Sequence, residues 1–377
     1  MKKYWKTIVV LTVLVVGIGS YLVQTSLVAN SLPELQIEHV SGDESLAESV
    51  VLSGKYADGK SAPEWLTLDY KGTEYMSERS FIEQMVGKRG PVQERLIDEH
   101  KGFMRGVSYL HDNFYEDDEV LAVAETSWDF SFQTANIELS YLKKESGEEV
   151  HETLHLGSMD YAHILEVQYH ENKIMVFAEG YFNNGNGLIE MVYDLEEDRM
   201  TQNELLENKS QNSNHMSFSK VNDSVTYQPM DHLIFRSTEE QLSNEGRVEV
   251  AGTKFYQYDV NEMELSELEL PINENGFVSG FDGNTVYFEE QTPEEIKITP
   301  FNIEGGDFKE DFVFEKANED DQFMFNYKIK DGNLYVLNHL ELRVIDLENK
   351  ETLYEGEITI DNEEQLENLE LNRMEFR

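Results

Sequence analysis

The segment His151-Glu152-Thr153-Leu154-His155 fits the H-E-x-x-H pattern. On a helix, two histidines at i and i+4 share one face and bind one zinc ion. The glutamate between them then activates a metal-bound water. The neighbouring residues argue for a strand instead. Val150, Glu152, Leu154 and Leu156 alternate with His151, Thr153 and His155, and the run follows Ile137 to Leu142 and the polar turn Lys143 to Glu149. A zinc-protease helix carries apolar residues before its first histidine, whereas Gly147-Glu148-Glu149 stands there. Gly157 falls one place too early for the extended motif, and Glu166 or Glu171 would be only a generic third ligand. On a strand the two imidazoles lie about 13 Å apart, too far to share one ion. His163 and His170 add imidazoles at spacings that suit no standard site. The segment is therefore read as a strand, and a metal-dependent protein using His151 and His155 is kept as an alternative.

Other chemistry finds little support. With no cysteine, the chain has no disulfide framework, thiolate metal site or cysteine nucleophile. It has no G-x-S-x-G elbow, phosphate-binding loop or dinucleotide fingerprint. Asn183-Asn-Gly-Asn-Gly187 reads as a hairpin turn. The acidic runs Glu116 to Glu119 and Glu319 to Asp321 lack the ligand alternation of a calcium loop and read as solvated loops with at most weak divalent-cation binding. Trp65, Trp128 and the many Tyr and Phe read as core residues rather than a sugar platform. A formal charge of −45 repels phosphate backbones, which excludes nucleic acid as a partner. No catalytic, cofactor-binding or metal residue is assigned.

The N-terminus reads as an address. Lys2, Lys3 and Lys6 precede an uncharged run from Ile8 to Val23, with Tyr4, Trp5 and Tyr21 as interfacial aromatics. Residues 4–23 are long enough for a signal anchor, that is, one N-terminal transmembrane helix. Cleavage after Ala29, giving a secreted protein, is the alternative; Leu27 is larger than a cleavage site favours. The three lysines stay in the cytoplasm and the bulk of the chain goes outside. Beyond residue 30 there are 27 basic and 75 acidic residues. That surface suits an alkaline or salty exterior and repels anionic headgroups and wall polymers.

Behind the leader, residues 31–75 read as a few strands separated by turns, with Asp58-Gly59 as one turn. The period then becomes helical. Phe81, Ile82, Met85 and Val86 follow Ser77 and Glu78, and Gly90-Pro91 ends that helix and starts a second one carrying Val92, Leu96, Phe103 and Met104 on one face. From about residue 118 the pattern is β to the end. A short apolar strand recurs at Glu119, Lys173, His232, Asn284 and Asn333. A second strand then ends in apolar-Asp/Asn-apolar, with the polar residue at Asp194, Asp259, Asn302 and Asp346. Spacings of 65, 43 and 44 residues with several strands per unit predict propeller blades. The Asp or Asn is placed to accept N–H bonds in the turn that follows. The expected fold is mainly β, a propeller-like repeat of antiparallel blades with five recognisable units. Residues 35–75 would complete a sixth or seventh, beside a small helical segment at 77–107. Consecutive meanders in a sandwich or barrel are the competing architecture, and no Trp-Asp or kelch signature is present.

The start Met1-Lys2-Lys3-Tyr4-Trp5-Lys6 with its apolar run, and Gly72 to Phe81 leading to Phe103-Met104-Arg105-Gly106, resemble N-terminally membrane-anchored proteins of Bacillus-type Gram-positive bacteria with a β-propeller-like ectodomain. The resemblance implies an extracytoplasmic location and transfers no functional residue. The expected organisation is a basic tip and anchor at 1–30, strands with the helical segment at 31–115, and the repeat domain at 116–377. The leading functional expectation is a non-enzymatic binding module tethered through residues 4–23, with a protein partner at the cell envelope. The rivals are an extracellular hydrolase or lyase using channel carboxylates and a Ca²⁺-responsive envelope sensor.

Overall fold

The computed structural model describes residues 32–377 apart from 60–61, 80–89, 106, 108–112, 130–133, 157–158, 183–184, 210–214, 222–228, 243–247, 272–276, 316–324 and 361, and only Trp5, Val9, Thr12 and Val16 of the leader. The anchor expected at 4–23, the helix expected at Phe81–Val86 and the acidic run at Glu319 lie outside the described residues, those four leader positions apart. Among the described residues, no helix is long and apolar enough to cross a membrane.

The chain forms two compact units, residues 1–95 with 316–377, and residues 96–315. It opens with β1 (Leu35–Gly42), β2 (Val50–Tyr56), β3 (Glu64–Asp69) and β4 (Gly72–Tyr75). Helix α1 (Pro91–Glu99) follows. Pro91 at its first position needs no N–H partner, and the Gly90 N–H donates to Gln93 Oε1 at 3.2 Å. The expected continuation of this helix to Met104 is corrected. The helix stops at Glu99, and residues 101–105 are turns around Gly102, a poor helix former. Phe103 and Met104 are buried as expected.

Three antiparallel sheets of four consecutive strands come next. The first is β5 (Phe114–Glu116), β6 (Val120–Asp129), β7 (Thr134–Lys143) and β8 (Glu148–His155). The second is β9 (Met159–His170), β10 (Lys173–Phe182), β11 (Gly185–Asp194) and β12 (Arg199–Lys209). The third is β13 (His215–Lys220), β14 (His232–Leu242), β15 (Val248–Asp259) and β16 (Glu264–Leu268). A fourth sheet holds β17 (Phe277–Asp282), β18 (Thr285–Gln291) and β19 (Glu295–Asn302), with β20 (Asp307–Phe308) and β21 (Phe312–Glu315) both paired to β19.

The last five strands return to the beginning of the chain. β22 (Phe325–Lys330), β23 (Asn333–Asn338), β24 (Glu341–Asp346) and β25 (Thr352–Ile360) take β1 as a fifth strand beside β25. β26 (Leu369–Phe376) pairs with β2, giving the order β26-β2-β3-β4. The described residues thus form six sheets. Five contain the recurring pattern, and residues 35–75 supply most of the sixth.

Alternating strands give each sheet two apolar faces, and neighbouring sheets bury them against each other. In the second unit the sheet β5–β8 packs on β9–β12 through Ile137, Leu139, Val167, Val176 and Met191. β9–β12 packs on β13–β16 through Met175, Phe177, Leu188, Phe235 and Tyr258. β13–β16 then packs on β17–β19 through Ile234, Phe255, Val286 and Phe288. In the first unit the two sheets share Leu52, Leu68, Leu337, Val344 and Met374.

The repeat is visible in atoms. Asp194 Oδ1 accepts the N–H groups of Glu196 and Glu197, each at 3.0 Å. Asp259 accepts from Asn261 and Glu262 at 2.9 Å, and Asp346 from Glu348 and Asn349 at 2.8 and 2.9 Å. Asn302 does the same for Gly305. Four residues beyond each lies a left-handed residue: Asp198, Met263, Gly306 and Lys350. The hairpin after β7 has Lys143 in place of the Asp and Gly147 as its left-handed residue. In all five hairpins the next residue closes onto the preceding turn, Lys144 N–H to Glu119 O, Leu195 to Asn172, Val260 to Asp231, Ile303 to Asn284 and Leu347 to Gly332, between 2.8 and 3.0 Å.

These turns make a stability prediction. Asp259→Ala removes the acceptor for two N–H groups and is expected to cost about 1 kcal/mol. Lys350→Gly relieves left-handed backbone worth about 1–2 kcal/mol, partly offset by glycine's entropy. Thermal melts should move down for the first variant and up for the second.

Candidate functional site

The H-E-x-x-H segment lies on β8, an edge strand. The pleat exposes His151, Thr153 and His155 on one face and buries Leu154 on the other. Each imidazole is engaged across the ladder. His151 Nδ1 lies 2.8 Å from Ser140 Oγ, and His155 Nδ1 lies 3.0 Å from Asn136 Oδ1. Ser140 and Asn136 stand directly opposite the two histidines, so the pair is held apart along the strand. His163 is exposed on β9, and His170 lies 3.9 Å from Glu171.

The described chain's densest buried chemistry lies on β9–β11. Phe177 on β10 faces Glu166 on β9 and Glu190 on β11. Directly opposed residues share a face, and Glu179, two residues from Phe177, shares it too. Phe177 packs on the rings of Phe235 and Tyr258, at 5.4 and 4.7 Å between centroids. Three carboxylates are therefore buried between the sheets β9–β12 and β13–β16, each 5% exposed or less.

Burying a carboxylate without partners costs several kcal/mol. Here every one is supplied. Glu166 pairs with Lys220 Nζ and accepts from Gln168 Nε2 at 3.1 Å. Glu190 accepts from the Tyr258 hydroxyl and from Asn203 Nδ2 at 2.8 Å. Glu179 accepts from Tyr181 Oη at 2.7 Å, Asn186 Nδ2 at 2.6 Å and the Phe218 N–H at 3.2 Å. Burial, then the bond to Glu190, pushes the Tyr258 phenol far above its ordinary range. Gln168 Oε1 meanwhile accepts the Met230 N–H at 3.1 Å. Lys220, Phe218, Met230 and Tyr258 come from the second of the two sheets or its flanks, so the carboxylates bolt one sheet to the next. Their lone pairs are taken up by protein donors, which suits holding rather than turnover.

Sequence reasoning weighs Glu166 only as a generic third zinc ligand and passes over Glu179 and Glu190, yet each shows as a lone glutamate inside an apolar strand, as in Ile164-Leu-Glu-Val, Val176-Phe-Ala-Glu and Leu188-Ile-Glu-Met. Asn186 is more than the turn residue expected, since it sits in β11 and is buried. Trp65 is half-exposed rather than core. In the run 116–119, Asp117 Oδ1 accepts the N–H groups of Glu119 and Val120 at 2.8 and 2.6 Å, and Glu116 bonds Lys144 at 2.8 Å. A third group is assembled by the fold alone: side-chain ligand atoms of Glu99, His100 and Glu116 lie within 4.8 Å of one another.

No protein-family model and no curated protein matches the chain. Among solved structures, a Synechocystis apocarotenoid oxygenase variant is similar over 92% of this chain and 96% of its own, at 9% identity and a TM-score of 0.48. A polysaccharide lyase matches 66% of this chain at 12% identity and a TM-score of 0.39, and the match spans 57% of the lyase's length. Porphyromonas gingivalis dipeptidyl peptidase 4 matches 84% of this chain and 45% of its own, at 10% identity and a TM-score of 0.36. Likenesses this distant carry no argument about activity.

Two contrasting outcomes follow from the site. Tyr258→Phe leaves buried Glu190 short of a donor and is expected to cost about 1–3 kcal/mol in a melt. The double variant His151→Ala, His155→Ala alters an exposed face and should stay within about 0.5 kcal/mol of wild type. Its zinc content should be unchanged.

Proposed function

We propose that this chain is a membrane-tethered, extracytoplasmic binding module whose six sheets are blades of a propeller. The observation that carries the reading is the charge division of the chain. Lys2, Lys3 and Lys6 precede the uncharged run Ile8–Val23, and all 75 acidic residues follow it. Lysines flanking an apolar run are retained on the cytoplasmic side, which sends the β-rich body outward. The blade reading draws on the recurring hairpin, the face-to-face stacking of successive sheets within each unit, and the return of the last strand to the second. The binding role draws on the repeat build and on buried carboxylates engaged in holding sheets together. The ligand surface would serve a protein of the cell envelope.

The lack of native cysteine makes topology directly measurable. Glu145→Cys, in the exposed turn after β7, should react with a membrane-impermeant maleimide on intact cells. Lys3→Cys should react only after lysis. The protein should also stay with alkali-washed membranes. Equal labelling of both sites would overturn the reading. Release into the medium of a chain beginning at Asn30 would replace the tether with secretion. Crosslinking on intact membranes should return a second protein, and recovery of this chain alone would remove the binding role.

A further inference from the structure

We infer that Tyr161 and Tyr181 form a docking subsite for a cationic side chain, lysine or arginine, on the partner protein. The inference rests on the binding-module reading and names the chemistry of its partner. The two residues stand directly opposite each other on β9 and β10. Their ring centroids lie 5.7 Å apart at an interplanar angle of 45°. That tilt keeps the rings from stacking face to face. Tyr161 is 51% exposed, so aromatic surface remains open to a ligand. A cation is drawn to the negative face of such a ring within about 6 Å of its centroid.

Charge favours a cation over a neutral ligand. Tyr181 Oη donates to Glu179 Oε2 at 2.7 Å. Burial, then that bond, pushes the Tyr181 hydroxyl far above its ordinary range, so it stays a donor. Glu179 is buried and lies on the face that carries Tyr181, two residues back along β10. Donation to an anion enriches the phenol ring in electron density, which strengthens its pull on a cation. Asn186, opposite Tyr181 on β11, bonds the Met216 carbonyl, and Met216 pairs with Glu239 on β14. Exposed Asp160 adjoins Tyr161.

These strands supply no cation of their own at the pair. β9, β10 and β11 hold a single Lys or Arg, Lys173, at the far end of β10. Eight residues of strand put it about 26 Å from Tyr181. Other rings are served from within the chain. Lys71 Nζ lies 5.2 Å from the centroid of half-exposed Tyr70, and Lys330 Nζ lies 4.7 Å from that of Phe376. Tyr161 offers the same chemistry to an outside group.

The test is fluorescence anisotropy of a labelled, end-capped tetra-arginine peptide titrated with the full chain in detergent. The salt is about 0.15 M, where diffuse attraction to an acidic surface is screened. Wild type should bind saturably. Tyr161→Ala should weaken binding about two- to fivefold, the range of an exposed cation–π contact. Tyr161→Phe keeps the ring and should bind nearly as wild type. Tyr70→Ala removes a ring that Lys71 already serves and should change nothing. Tetra-citrulline, neutral and of similar shape, should bind far more weakly. If Tyr161→Ala does not fold, Tyr161→Leu carries the comparison. The inference is overturned by the lack of saturable binding, by wild-type binding in Tyr161→Ala, by an equal loss in Tyr161→Phe, or by equal binding of the two peptides. A partner crosslinked on membranes together with undiminished peptide binding in Tyr161→Ala overturns the subsite and leaves the binding module standing. Recovery of this chain alone removes the module, whatever the peptide does.

Discussion

The pairing of the chain's two ends with distant strands is the constraint on which the first unit rests. β26 joins β2 with register Val50↔Phe376 to Tyr56↔Leu369, and β1 joins β25 with Leu35↔Ile360 to Gly42↔Tyr354. Without β26, the sheet β2–β4 keeps three strands and loses Leu371, Met374 and Phe376 from the shared core. These pairings span more than 300 residues, so the loop-closure entropy falls before the contacts that offset it are made. High contact order of this kind predicts slow assembly, with the consecutive meanders forming first.

The second unit solves a different problem. Its sheets are joined by apolar faces that any similar sheet could cover. Three buried glutamates add direction to that packing. Glu166 requires Lys220, Glu190 requires Tyr258 and Asn203, and Glu179 requires the backbone of β13. A sheet docked one residue out of register would strand a charge in an apolar layer. Such groups contribute little net stability beside an apolar isostere and can contribute specificity. A strand without a buried carboxylate lacks this selectivity; here the adjacent sheets carry it in their side chains.

Local, periodic features were legible in the residues. The Asp or Asn at 194, 259, 302 and 346 marks the same turn each time, because its side chain and its bonded N–H groups are only two or three residues apart. The strand at His151 was legible from alternation alone. Gly90-Pro91 marked the start of α1, but its end was missed, since the apolar period runs on through Phe103 and Met104 while Gly102 ends the helix. Non-local facts were not legible. Nothing in Leu369–Phe376 says that it pairs with β2, and nothing in Glu99-His100 says that Glu116 lies beside it. The partners of Glu166, Glu179 and Glu190 likewise lie 7 to 68 residues away, apart from Val167, Gln168 and Tyr181.

The entry of the chain into β1 has a mechanical consequence. Pro33 O accepts from Tyr75 Oη at 2.7 Å, and Leu35 exchanges two bonds with Thr73 Oγ1 at 2.8 and 2.9 Å. Leu35 itself is fully buried. A pull on the chain ahead of β1 would therefore meet the hydroxyls of β4 together with the first pairs of the β1–β25 ladder. The clamp shares that load between two sheets of the unit, and the first bonds to yield would be side-chain bonds. Side-chain bonds of this kind can break and re-form while the backbone ladder stays paired, so small displacements at the entry to β1 need not unzip a sheet.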